Sequence, residues 1–275
     1  SSYSIIRTDI VLQVLVEMAS IEEMGLTFSS IMIDQGELLY NALSKNSIIM
    51  IVILDACRFD FFEEVNDIKG NLKCVQSRGS STPEWLKNTW IDFYDKVAYV
   101  TANPYVNNKP NDRGWNGAEH FPHIEKVWDW GWTEVKGVPT VPAENVNKGV
   151  RKVVEMGYKR VIAHYIQPHS PYIGKIVLPI ETFVHARFKA KGVKNAPVDK
   201  LRYWDVDVET LRLAYKCNLE YVLEKGVKPL LSEFSDFKII VTADHGELLG
   251  EYSNFGHPDG LCVPELRYVP FLEVE

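Results

Sequence analysis

Five short stretches of this 275-residue chain carry side chains able to hold a cation or turn a hydroxyl into a nucleophile. Asp55 stands in Leu54-Asp55-Ala56-Cys57-Arg58-Phe59-Asp60, and His169 in Pro168-His169-Ser170-Pro171-Tyr172. Asp244 and His245 open Asp244-His245-Gly246-Glu247, and His257 follows His245 by 12 residues in Gly256-His257-Pro258. Carboxylate oxygens and imidazole nitrogens together satisfy a borderline cation, zinc or manganese. The hydroxyls of Ser80, Ser81 and Thr82 precede Pro83, and Ser81 with Glu84 has capping-box spacing, so a helix is expected to begin there. A helix start presents free N–H groups to an anion. A hydroxyl at that start, beside a metal ion, can be deprotonated and used in displacement on an ester.

These residues need a scaffold that brings them together. Residues 47–54 form an unbroken apolar, β-branched run, and similar runs occupy 97–101, 160–166 and 237–242. Helical patterns at 144–156 and 208–233 lie between them. Strands alternating with helices imply an α/β fold, a three-layer α/β/α sandwich on a mostly parallel sheet. In such sheets ligands gather at the carboxyl ends of the strands, which is where Asp55, His169, Asp244 and His245 fall. Residues 8–45 carry helical spacing in two pieces, so residues 1–46 are expected to form a helical segment packed on a catalytic domain over 47–275. Residues 103–142 and 171–206 break the rhythm and are expected to rim the site.

The order Leu54-Asp55 to Arg58-Phe59-Asp60, a Ser/Thr-Pro helix start, Pro168-His169 to Pro171-Tyr172, Thr242-Ala243-Asp244-His245-Gly246-Glu247 and Gly256-His257 resembles the alkaline phosphatase-like superfamily. The similarity is greatest to its sulfatases, lipoteichoic acid synthases and phosphoethanolamine transferases, and Tyr215 to Asn218 resembles the helix before their Asp-His strand. The resemblance implies that Asp55, Asp244 and His245 hold the principal metal, one of one or two zinc or manganese ions. It implies a nucleophile at Ser81, with Thr82 next and Ser80 third, and a covalent intermediate. His169 then contacts the transferred group or a second metal, with His257 beside it. The implied activity is hydrolysis or transfer of a phosphate ester, small or linked to a glycan or lipid. The alternatives are a sulfuric ester hydrolase and a non-catalytic binding protein on the same fold. The chain has Ala56 where sulfatases carry a second aspartate, and Trp85 where they carry an arginine after the proline, and both differences point toward phosphate.

Plainer roles compete for several residues. Asp55 could cap a helix starting near Phe59, and Ser81 and Thr82 could be caps alone. Arg58 and Asp60 are expected to pair, Glu247 to orient a ligand, and His120, His123, His164 and His185 to be ordinary hydrogen-bonded residues. Trp115, Trp128, Trp130 and Trp132 are too close together for one core stripe, so some are expected to pack over the sheet edge, with recognition of an apolar or sugar part of a substrate as the alternative.

A formal charge of −7 without a concentrated Lys/Arg run argues against nucleic acid as a partner. Cys57, Cys74, Cys217 and Cys262 lack CxxC spacing and read as reduced thiols. The apolar stretch 10–18 is interrupted by Gln13 and Glu17 and is too short to span a bilayer, so a cytoplasmic location is expected.

Overall fold

The computed structural model describes residues 32–111, 113–193 and 201–275. The expected helical segment over 1–46 falls mostly outside them; its described part is helix α1 (Gln35–Lys45), whose Leu39 and Leu43 enter the main core. Strand β1 (Ile49–Leu54) has all six side chains buried, as a strand covered on both faces must. Helix α2 (Phe59–Val65), strand β2 (Gly70–Gln76), helix α3 (Thr82–Thr89), strand β3 (Val97–Thr101) and strand β4 (His123–Lys126) follow. Helix α4 (Ala143–Glu155), strand β5 (Arg160–Tyr165), helix α5 (Val208–Val222), strand β6 (Lys238–Ala243) and strand β7 (Tyr268–Val274) complete the frame.

The sheet has seven strands in the order β2-β7-β6-β1-β5-β3-β4. Its inner pairs are parallel, while β7 runs antiparallel to both β6 and β2. Helices pack around this sheet, an α/β sandwich of the expected class. The register decides where the chemistry lies: Leu54 is paired with Ala243 on one side and Tyr165 on the other. Asp55 and Asp244 therefore leave adjacent strands at the same level.

The expected irregular stretches hold more structure than their composition suggests. Residues 103–142 contain β4, a helical turn at Val127–Trp130 and a ribbon pairing Thr133–Val135 with Val138–Thr140. Within 171–206 are a ribbon of Tyr172–Ile173 with Val177–Leu178 and a short helix, Val184–Ala190. Trp115 and Trp128 are buried in the core, whereas Trp130 is exposed. All four cysteines are free thiols, two buried and two partly so. No helix among the described residues is long and apolar enough to cross a membrane.

Candidate active site

At the end of β1 the chain turns sharply: Ala56 has φ 57°, a left-handed conformation that costs of order 1 kcal/mol in a non-glycine residue. The turn aims the Ala56 N–H at Asp244 Oδ1, 3.0 Å away, and the His245 N–H donates to the same oxygen at 2.9 Å. With Oδ1 satisfied by backbone, Asp244 presents Oδ2 to the site. There it accepts the Thr82 hydroxyl at 2.7 Å. Asp55 does not cap a helix, because α2 begins after Arg58 with no side-chain cap. Its Oδ2 accepts from Asn103 Nδ2 at 2.5 Å, and its buried Oδ1 has no hydrogen-bond partner.

Thr82 sits where these groups converge. Its Oγ1 is 3.3 Å from His245 Nε2 and accepts from Asn103 Nδ2 at 3.2 Å. Ser81, one residue earlier, is the N-cap of α3 and accepts the Glu84 N–H, while its hydroxyl donates to Asp259. The helix start thus turns Ser81 and Thr82 in different directions: the Ser81 hydroxyl meets Asp259, and the Thr82 hydroxyl meets Asp244. The second arm of the expected capping box is displaced: Glu84 Oε2 accepts from the backbone N–H and hydroxyl of Ser80 instead.

His245 Nδ1 lies 2.7 Å from the Gly246 carbonyl, a contact that requires its proton to be on Nδ1 and leaves Nε2 as an acceptor. That nitrogen is 3.4 Å from Asp244 Oδ2 and 3.6 Å from Asp55 Oδ1. Gly246 allows the loop to lie against the segment before β7, since a Cβ there would fall 1.9 Å from the Glu265 carbonyl oxygen.

Two functional candidates escaped the sequence reading. His164 lies within β5, wholly buried, with Nε2 3.6 Å from Asp55 Oδ2 and 3.7 Å from Asp244 Oδ2 and without a hydrogen bond. Its Nδ1 faces the Tyr99 hydroxyl at 2.9 Å. Asn103, just beyond β3, bridges Asp55 and Thr82. The usable signal was register: His164 is paired with Ile53, next to the strand end that carries Asp55.

A second cluster adjoins the first. Ligand atoms of His169, Glu247 and His257 lie within 4.8 Å of one another. The His257 ring is 4.5 Å from that of His245 and 4.8 Å from that of His169. Glu247 faces His257 Nδ1 at 3.2 Å. Helix α5 braces both loops. Tyr215 accepts the Arg58 N–H at 2.9 Å and donates to the Ala56 carbonyl at 2.7 Å, and Asn218 Nδ2 donates to the Pro168 and His169 carbonyls. Arg58 pairs with Asp60 as expected, and with Glu251 as well.

Burial dominates the electrostatics. Desolvation, reinforced by Asp244, raises the Asp55 pKa well above the ordinary carboxylate range. Desolvation brings His164 down to about 4 and holds His169 and His245 well below the usual imidazole value. His257 is the exception: burial opposes its charge, but Glu247, Glu181 and Asp55 outweigh burial and raise it to about 10. Two buried aspartates beside neutral imidazoles, with an unpartnered oxygen on Asp55 and an unpartnered nitrogen on His164, make a donor set that fits a divalent cation.

No protein-family model matches the chain, and no curated protein matches it. Solved structures do. The soluble domain of lipooligosaccharide phosphoethanolamine transferase A from Neisseria meningitidis superimposes with a TM-score of 0.55 at 15% identity, over 83% of this chain and 77% of that one. The integral membrane form of that protein matches with a TM-score of 0.53 at 15% identity over 82% of this chain, which spans 47% of its length. The likeness establishes the fold, the alkaline phosphatase-like architecture that the motifs resemble.

Proposed function

We propose that this chain is a metal-dependent enzyme that moves a phosphoryl group from a phosphate ester onto Thr82 and then to water or an alcohol. The observation that carries this reading is the Thr82 hydroxyl, hydrogen-bonded to Asp244 at 2.7 Å in a buried cluster with Asp55, His164 and His245. Asp55, Asp244, His245 and Thr82 would hold the principal ion, zinc or manganese, with His164 at its edge. Such an ion lowers the pKa of a bound hydroxyl and neutralises the ester oxygens.

The Thr82 proton, held by Asp244 Oδ2 in the structure, would leave to solvent when the ion binds both oxygens. Oγ1 attacks phosphorus in line, forming one P–O bond as the ester P–O bond breaks. His257, kept protonated by Glu247, donates to the departing oxygen. Neutral His257 then takes the proton of the attacking water or alcohol, whose oxygen bonds to phosphorus as the Thr82 Oγ1–phosphorus bond breaks, and Oγ1 is free again. Asn103 donates to Thr82 Oγ1 and steadies the negative charge that develops on it. Were a second ion present, His169, Glu247 and His257 would act as its ligands, and His257 would give up that proton.

Phosphate is favoured over sulfate because the hydroxyl in the cluster belongs to a threonine. Oxidation of its secondary alcohol gives a ketone, so the formylglycine aldehyde that the sulfatase pattern requires is not available at Thr82. The likeness to a phosphoethanolamine transferase domain supports the same choice.

The test is to load the purified protein with zinc or manganese and offer p-nitrophenyl phosphate, a p-nitrophenyl phosphodiester and p-nitrophenyl sulfate. Turnover of a phosphate substrate, abolished in Thr82→Ala and retained in Ser81→Ala, supports the assignment. Activity on the sulfate alone, or full activity in Thr82→Ala, overturns it.

A further inference from the structure

Thr82 and His257 line one cleft of about 240 Å³, although they come from elements far apart in the chain. Thr82 opens helix α3, whereas His257 lies in a segment, 257–263, that is neither helix nor strand, between the ribbon strand Phe255–Gly256 and the helical turn Pro264–Arg267. Irregular backbone keeps a side chain in place only where its polar groups are tied to something rigid. Glu247 reaches His257 Nδ1 at 3.2 Å, which leaves Nε2 to meet an ester oxygen. A contact to the ring does not by itself fix the backbone that carries it.

The three residues after His257 are each tied to the start of α3. The Pro258 carbonyl lies 2.8 Å from Ser80 Oγ, the Asp259 carboxylate accepts from the Ser81 hydroxyl, and the Gly260 N–H donates to Glu84 Oε2 at 3.3 Å. An ordinary capping box would turn Glu84 back onto the Ser81 N–H. Here Glu84 Oε2 instead accepts the Ser80 N–H at 2.8 Å and lies 2.9 Å from Ser80 Oγ, whose single proton is shared between Glu84 and the Pro258 carbonyl. Asp259 is half-exposed and also paired with the half-exposed Arg113. Exposed ion pairs contribute little, so the hold falls mainly on the wholly buried Ser80 and on Glu84, which gathers it.

We propose that Ser80 and Glu84 form a latch that positions His257: they bind its loop to the same helix start that carries Thr82, so that proton donor and nucleophile are held as one unit across the cleft. Both are positioning residues, acting on the ester only through His257. This inference rests on the reading of Thr82 as nucleophile and His257 as acid, and it adds the device that sets the distance between them. Proton donation by a placed side chain is worth about 100- to 10,000-fold. A misplacement of about 1 Å can forfeit about 100-fold.

The test measures kcat/KM of the metal-loaded protein on p-nitrophenyl, phenyl and ethyl esters of the phosphate class that it turns over. p-Nitrophenolate departs without a proton, whereas ethoxide needs one, so loss of a placed acid shows as a defect that grows along this series. In Glu84→Ala and in Ser80→Ala, the p-nitrophenyl value should stay within about threefold of the parent, while the phenyl and ethyl values fall at least about tenfold, the ethyl further. His257→Ala should show the same trend more steeply. Adding Glu84→Ala to it should deepen the trend no further, because a residue that acts through His257 then has nothing left to position. A Glu84→Ala defect equal across the three esters, or one that adds in full to that of His257→Ala, overturns the latch while the Thr82 reading stands; Ser80→Ala carries the same comparison if Glu84→Ala fails to fold. A loss in His257→Ala that is uniform along the series removes His257 as the acid and the latch with it, and leaves the nucleophile to be judged separately by Thr82→Ala.

Discussion

The Thr82 hydroxyl donates to Asp244 Oδ2 at 2.7 Å, although the two residues are 162 positions apart. The contact joins the start of α3 to the end of β6. Asp244 can make it because two backbone N–H groups already occupy its other oxygen.

From that contact we expect different losses at the two neighbouring hydroxyls. Thr82→Ala should lower kcat/KM at least about 1000-fold, since it deletes the proposed nucleophile. Ser81→Ala should cost about 1 kcal/mol of stability as a lost N-cap, with activity changed less than about tenfold. Steady-state kinetics with denaturant unfolding on both variants checks the division.

His164 should matter through the metal. His164→Phe keeps the ring packed against Trp85 but removes the nitrogen beside Asp55 and Asp244. Metal affinity should fall roughly 10- to 100-fold, the range seen when a metal-supporting group is lost. Titration against a chelator of known affinity measures it; unchanged affinity would assign His164 to packing alone.

Gln35 ties the site to α1. Wholly buried, it accepts from Trp85 Nε1 at 2.8 Å and donates to Thr242 Oγ1 at 2.8 Å and to the Ala243 carbonyl at 2.5 Å. Trp85 lies one turn beyond Thr82, and Ala243 immediately precedes Asp244. Gln35→Met orphans buried groups on both sides and should cost about 1–3 kcal/mol. It should also weaken metal binding, whereas Leu39→Ala on the same helix should lower stability and leave metal affinity unchanged.

The raised pKa of Asp55 carries a pH signature. In the metal-free protein the folded state favours the protonated carboxyl, so this group contributes stability that is complete below the unfolded aspartate pKa and is lost as pH rises through the folded value. Metal must displace that proton, so affinity should increase with pH over the same window and proton release should accompany binding. Calorimetry in buffers of different ionisation enthalpy tests this; in Asp55→Asn both the proton release and the rise should shrink.

The legible part of the fold was its buried centre. Strands β1, β3, β5 and β6 announce themselves because strands covered on both faces are nearly all apolar, and the candidate ligands that follow β1 and β6 could be placed at their ends. Strands β2 and β4 are outer strands of mixed burial, and β7 contains Pro270, so none has that uniform run. His164 and Asn103 were hidden for a related reason: their roles depend on which strands are neighbours. The choice between Ser81 and Thr82 turned on the direction of a capping side chain, which spacing alone does not encode.

The central claim is that Thr82, Asp55, Asp244 and His245 surround one cation. An anomalous difference map from crystals grown with zinc, collected on both sides of the zinc absorption edge, tests it most directly. The account predicts a peak at coordination distance, about 2.0–2.2 Å from oxygen and nitrogen ligands, to Asp55, Asp244 and His245 and adjacent to the Thr82 hydroxyl. A zinc-saturated crystal with no peak among these side chains would contradict it.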